Sequence, residues 1–216
     1  MKWGQVTEHH PRVAIVASGP SARGLRLPEG VTILAVNGAI DWLDRADYWF
    51  TLDPSEANWS RMHHQRPGVL YVAAVPDNFG TRAAETVVMQ RPALDGVRYL
   101  HRIAGDGYGS LRCKPGLCED TGGVHTGNSA YGALGLAFHF GARRIALFGV
   151  DASPDPRIEG GLPGGLHHLP ELFSSTLSQL RAAGVMVVNG SPNSRVEAFP
   201  RMTPAAAAKW LEEPPC

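Results

Sequence analysis

Residues 125–151 read HTGNSAYGALGLAFHFGARRIALFGVD, and they constrain the fold more than any other stretch. A polar opening, His125-Thr126-Gly127-Asn128-Ser129, leads into a helix-length run that is apolar on nearly every side. Gly141 ends the run, and an apolar strand from Ile145 to Val150 delivers Asp151. A helix with no polar face has to be buried. Burial against a sheet also accounts for the strand that follows it. The first turn of such a helix holds unsatisfied N–H groups at one fixed place, which makes a natural anion site.

The remaining apolar segments supply the sheet. Arg12–Ala17, Val31–Val36, Asp47–Leu52, Val69–Val75 and Val185–Val188 are short continuous runs rich in β-branched residues, and Val97–His101 is a weaker one. Runs of this kind read as strands buried on both faces. Ala39–Leu43 suggests a short helix. Pro170–Ala183 has helical spacing closed by Gly184. Thr203–Glu213 has a threonine cap with proline at the first helical position. The alternation predicts an α/β fold: a single doubly wound, mostly parallel sheet with helices on both faces, Rossmann-like. Without repeats or a clear linker, residues 1–216 are expected to form one domain. Gly105–Val124 reads as an irregular loop. Residues 152–168, dense in proline and glycine, read as a lid over a site.

In doubly wound sheets ligands bind beyond the carboxyl ends of the strands. Those ends carry Ser18-Gly19-Pro20-Ser21, Asn37-Gly38, Asp53-Pro54-Ser55, Pro76-Asp77-Asn78, Asp151 and Asn189-Gly190-Ser191. Each alone is ordinary turn chemistry; together at one edge they point to a polar ligand. Gly19 and Gly24 have P-loop spacing, but Leu25-Arg26 stand where Lys-Ser/Thr would be needed, so this is not a Walker A loop.

Composition removes several classes. Twenty basic and twenty acidic residues give zero formal net charge, which argues against nucleic acid as the main partner. No apolar run approaches the ~20 residues of a membrane span. The opening MKWGQVTEHHPR lacks the apolar core of a secretory signal, so a cytoplasmic protein is expected. Cys113, Cys118 and Cys216 are expected to be free thiols, and no metal site is assigned. His9-His10 and His63-His64 read as surface pairs.

Five segments together resemble a known superfamily. They are IVASGPSA at 15–22, AVNGAI at 35–40, YWFTLD at 48–53, the 125–151 stretch, and VNGSPNSRVEAFPR at 188–201. The superfamily joins bacterial lipo-oligosaccharide sialyltransferases to 6-hydroxymethylpterin diphosphokinase-like proteins and includes small phage-associated members. The resemblance implies a nucleotide-dependent transferase, foremost a glycosyltransferase using a nucleotide-activated sugar such as a CMP-sugar. It implies nucleotide or phosphate contacts at Gly19, Pro20 and Ser21, at Asn37, and at Thr126, Gly127, Asn128 and Ser129. Ser18, Asp53 and Asp151 join them as strand-end residues. A histidine near the lid serves as general base in the family; here the lid offers His167 and His168, and imidazole exchanges protons near neutral pH. The family's tyrosines after the Gly149-Val150-Asp151 strand have no counterpart, and Arg157 is the replacement phosphate clamp. The alternatives are a Mg²⁺-dependent pyrophosphokinase, with Asp53, Asp77 and Asp151 as metal ligands, and a non-catalytic nucleotide- or sugar-binding or phage-related assembly protein.

Overall fold

The computed structural model describes residues 3–106 and 112–213. Among these, eight strands form one sheet: β1 (Arg12–Val16), β2 (Thr32–Val36), β3 (Tyr48–Thr51), β4 (Leu70–Val75), β5 (Val97–Ile103), β6 (Gly123–His125), β7 (Arg144–Phe148) and β8 (Met186–Asn189). Their order is β6-β5-β4-β3-β2-β1-β7-β8, and every neighbouring pair is parallel. The α/β doubly wound expectation holds, with parallel pairing throughout. The helices are α1 (Glu56–His63), α2 (Ser129–His139), α3 (Leu169–Ser174), α4 (Leu177–Ala182) and α5 (Pro204–Glu212).

Strand alternation explains why the runs are apolar without a break. Val13 and Ile15 of β1 face one core with Leu134, Phe140 and Phe173. Ala14 and Val16 face the other with Trp49, Met62 and Leu211. Both faces are covered, so neither parity of side chain meets water. Residues 129–137 of α2 are all buried, as a helix without a polar face requires. α2 is also the crossover that takes the chain from β6, at one edge of the sheet, to β7 beside β1. Asn128 caps its start, accepting from the N–H of Ala130 at 2.8 Å.

Three sequence expectations change. Part of Gly105–Val124 is not irregular: Gly123 pairs with His101, so β6 adds an edge strand and β5 runs on to Ile103. Three residues containing a glycine carry no periodic signal, and the pairing is set by backbone bonds from His101 N–H to Gly122 O (2.8 Å) and from Thr126 N–H to Ile103 O (2.9 Å). The helix expected over Pro170–Ala183 is two helices. The hydroxyls of Ser175 and Thr176 donate to Leu172 O (2.6 Å) and Phe173 O (2.7 Å) at the break between them. Such back-bonding competes with the helical ladder. His10 is half-buried: its ring meets Tyr48 Oη at 2.8 Å and packs edge-on to Phe140, while His9 is exposed. Cys113 and Cys118 are free thiols, and Cys216 lies outside the described residues.

The polar lead-in is stitched to β5. Gly4 N–H donates to Tyr99 O at 2.8 Å, and Arg98 clasps both oxygens of Glu8 at 2.6 and 2.8 Å. The hydrogen-bonded guanidinium holds the Glu8 carboxyl at about 2, against 4.5 for an ordinary glutamate. A folded pKa below the unfolded one stabilises fully above the unfolded value, and the gain disappears as pH falls toward the folded value. Denaturant midpoints measured from pH 6 down to pH 2 should therefore fall more steeply for the native chain than for Glu8→Gln, the difference shrinking between about 4.5 and 2.

Candidate functional site

The order of the sheet reverses at β1. The chain goes from β1 to β2 on one side, while β7 pairs with β1 on the other. At such a switch point the two strand ends diverge and leave a crevice. Here they are first drawn together. Gly19 N–H donates to Gly149 O at 2.9 Å. A Cβ on Gly19 would sit 2.4 Å from Gly149 O and 2.6 Å from Asp151 Oδ2, so only glycine allows the approach. Gly149 has φ +65°, and a Cβ there would lie 2.2 Å from Ala17 O.

This closure places the Asp151 carboxylate over the 3₁₀ turn Pro20–Ala22. Oδ2 accepts from Ser21 N–H at 3.0 Å, and Oδ1 accepts the Ser21 hydroxyl in a short bond. Ser191 Oγ lies 2.8 Å from Ser21 Oγ. Ser21 has one proton and gives it to the carboxylate, so Ser191 is the donor to Ser21. Asp151 and Ser21 thus spend their polar atoms on each other. The N–H of Ser21, expected to face a phosphate, faces a carboxylate instead.

Asn37, at the end of β2, has φ +52°, a left-handed conformation that asparagine tolerates better than most residues. Its carbonyl accepts Trp49 Nε1–H at 2.7 Å. Its side-chain Oδ1 accepts from Nδ2 of Asn58 at 3.2 Å. Asn58, buried on α1, also donates to Asp53 O (2.6 Å) and lies 3.1 Å from Thr51 Oγ1, while its own Oδ1 accepts from Arg61. These partners fix the orientation of the Asn58 amide, and through it that of Asn37. Asn37 Nδ2 makes no hydrogen bond among the described residues.

Between these ends lies a cleft of about 630 Å³, its open mouth included. Ser18, Gly19, Pro20, Asn37, Asn128 and Asp151 line it, together with Ala152, Asp155, Arg157 and Glu159 of the following loop. The two non-glycine residues with positive φ among those described are Asn37 and Ala152, and both line this cleft. Strain of this kind persists where the surroundings enforce it and gathers at functional sites. The loop is docked: Ile158 N–H donates to Ser18 O at 3.0 Å, and the Glu159 side chain lies on Gly38. Two buried polar atoms without partners lie here. The Ser18 hydroxyl and Glu159 Oε2 are out of solvent with no hydrogen bond. The Arg157 guanidinium has no ion pair among the described residues. Three carboxylates (Asp151, Asp155, Glu159) line the same cleft.

Other sequence-predicted residues lie apart or hold structure. Ser129 Oγ is buried and accepts Leu52 N–H at 3.1 Å. Gly127 makes room for Leu172, whose Cδ1 would be 2.6 Å from an added Cβ. Thr126 is held through its backbone by Ile103 and Lys114. His125 Nδ1–H donates to Pro115 and Gly116 carbonyls, and burial pushes its pKa down. Asn128 alone of the 125–129 cluster lines the cleft. Asp53 is exposed and is not part of the lining. His167 and His168 do not line it either. His168 lines a second hollow with Cys113, Pro115, Glu171, Leu172 and Ser175, and neither of its ring nitrogens has a partner. Burial raises the Cys113 thiol pKa there, keeping it protonated. The segment from 166 to 172 borders both hollows, since Leu166 and Leu169 line the first. Asp77 pairs with His101 at 2.6 Å, and among the described residues no three acidic, histidine or cysteine side chains gather as a metal site. Asn58 and Glu159 carried no sequence signal: one sits in a helix without clear periodicity, the other in a loop whose docking is tertiary.

No protein-family model and no curated protein matches the chain. Solved structures do. The chain is similar to the sialyltransferase CstII from Campylobacter jejuni in complex with cytidine-5'-monophosphate, at TM-score 0.52 and 12% identity, covering 91% of this chain and 86% of that one. It is likewise similar to the sialyltransferase CST-II in complex with trisaccharide acceptor and CMP, at TM-score 0.50 and 13% identity, covering 89% and 86%. At these identities the likeness is one of fold, and it is a sialyltransferase-like fold. No helix among the described residues is long and apolar enough to cross a membrane.

Asn58 is the buried support of Asn37. Asn58→Ala should cost about 1–3 kcal/mol by chemical denaturation, since it strands the groups that Asn58 satisfies.

Proposed function

We propose that the chain is a nucleotide-sugar-dependent glycosyltransferase that takes a CMP-type donor in the cleft between the ends of β1, β2 and β7. The observation that carries this reading is the polar inventory of the cleft. It offers neutral donors at Asn37 and Ser18, one guanidinium at Arg157, and two carboxylates, Asp155 and Glu159, besides the Asp151 carboxylate already bonded to Ser21. That set suits a ligand with many hydroxyls and one phosphate. A nucleoside triphosphate would bring several more negative charges against the same carboxylates. The fold shared with a CMP-bound sialyltransferase supports the same choice.

In this reading Arg157 clamps the phosphate of the donor. The bond from the anomeric carbon to the phosphate oxygen breaks, and its electrons leave with the nucleotide. The acceptor hydroxyl forms the new bond and loses its proton to His168, which closure of the lid over donor and acceptor carries from the second hollow to the cleft. Because both ring nitrogens of His168 are unpartnered, one can take that proton. The docked 152–168 loop acts as the lid that keeps water from the anomeric carbon.

The Mg²⁺-dependent pyrophosphokinase is less well supported. Asp151 is bonded to Ser21, Asp77 to His101, and Asp53 is exposed. These three carboxylates do not converge. A non-catalytic nucleotide- or sugar-binding role is favoured by one observation: neither lid histidine lines the cleft.

Two measurements decide. In a thermal-shift panel of CMP, CDP, UDP, GDP and ATP, CMP should raise the melting temperature equally with Mg²⁺ or EDTA, and Asn37→Ala should weaken CMP at least about tenfold. A shift by ATP only with Mg²⁺ would move the assignment to the kinase. Given CMP binding, His168→Ala should abolish CMP release from a CMP-sugar in the presence of acceptor and leave CMP affinity unchanged. Unaltered turnover would remove His168 from the mechanism.

A further inference from the structure

We propose that Glu159 is the ribose-reading residue of the cleft, accepting the 2′- and 3′-hydroxyls of the bound nucleotide; this rests on the nucleotide reading above. Three observations carry it. First, Glu159 Oε2 is out of solvent and has no hydrogen-bond donor. Buried polar atoms are almost always paired, and an unpaired carboxylate oxygen waits for a donor the protein does not supply. Second, its position is built rather than incidental. Ile158 N–H donates to Ser18 O, and Arg157 and Gly161 close the turn with Gly160 through bonds of 3.0 Å. The carboxylate rests on Gly38, where a Cβ would lie 2.1 Å from Oε1 and 2.4 Å from Cδ, so glycine at 38 makes its seat. Third, that seat is the end of β2, beside Asn37 and in the same cleft.

In dinucleotide-binding sheets an acidic side chain beyond the second strand takes the ribose hydroxyl. Here β2 ends in Asn37-Gly38 and carries no acid. The loop after β7 delivers one to the same place. The neighbouring groups complement it. A ribose hydroxyl both donates and accepts, and the cleft sets Glu159 as acceptor against Asn37 Nδ2 as an unused donor. A carboxylate accepting O–H makes a charge-assisted bond, stronger than a neutral one.

The test is calorimetric titration of the full chain with CMP, 2′-deoxy-CMP and 3′-deoxy-CMP. The native chain should bind CMP at least tenfold more tightly than the deoxy forms. Glu159→Ala should bring that ratio close to one, Glu159→Gln should reduce it several-fold, and Gly38→Ala, which displaces the carboxylate, should also reduce it. The ratio is read rather than the affinity, so general loosening of the loop lowers all three affinities and leaves the ratio in place. Equal binding of CMP and both deoxy forms by the native chain, or an unchanged ratio in Glu159→Ala, overturns the assignment to Glu159 and leaves nucleotide binding standing. If CMP and both deoxy forms all fail to bind, the nucleotide reading is overturned and this assignment with it.

Discussion

The close approach of β1 to β7 governs everything at the carboxyl edge of the sheet. It depends on two positions where a side chain would collide with backbone, Gly19 and Gly149. With both glycines in place, Asp151 reaches across to Ser21 and, through Ser21, to Ser191 at the end of β8. Three separate strand ends are thereby locked as one unit. The cleft then opens on the β2 side, because its β8 side is closed by that network. A carboxylate that accepts both the N–H and the hydroxyl of Ser21 is well satisfied. The network is therefore a rigid wall of the cleft.

The rest of the cleft has the opposite character. Asn37 and Ala152 hold left-handed backbone, which costs roughly 1–2 kcal/mol for a residue with a Cβ. Ser18 Oγ and Glu159 Oε2 are buried without partners. The two cores on either face of the sheet carry these costs, since their strands are sequestered on both sides. Unsatisfied groups of this kind, lining a concavity, are what a protein retains when a ligand completes the bonding. The same groups would be a defect anywhere else in the fold.

The candidate site was legible at its strand ends and obscure between them. Asn37 and Asp151 could be read because each directly follows an apolar run, and Gly19 because it stands in the turn just after one. Their roles still differed from expectation. Asp151 and Ser21 look from sequence like two ligand contacts, but a bond between residues 130 positions apart makes them a support. The 125–129 cluster looked like one anion-binding surface. Folding turned Ser129 toward Leu52 and packed Gly127 under Leu172, leaving Asn128 at the cleft. His167 and His168 were placed near the lid by chain position, yet the chain turns so that His168 faces the second hollow.

The sequence by itself determined the parallel α/β sheet, the burial of α2 and the edge at which the polar strand ends gather. These follow from hydrophobic period, from glycine at sharp turns and from the end of each apolar run, all of which are local properties. Only the tertiary structure decided which polar atoms are spent and which are free. That outcome depends on pairs far apart in the chain, such as Ser21 with Asp151, Asn37 with Asn58, and Glu159 with Gly38. Hydrogen bonding saturates: a donor given to the fold is no longer available to a ligand, and no stretch of sequence records that allocation.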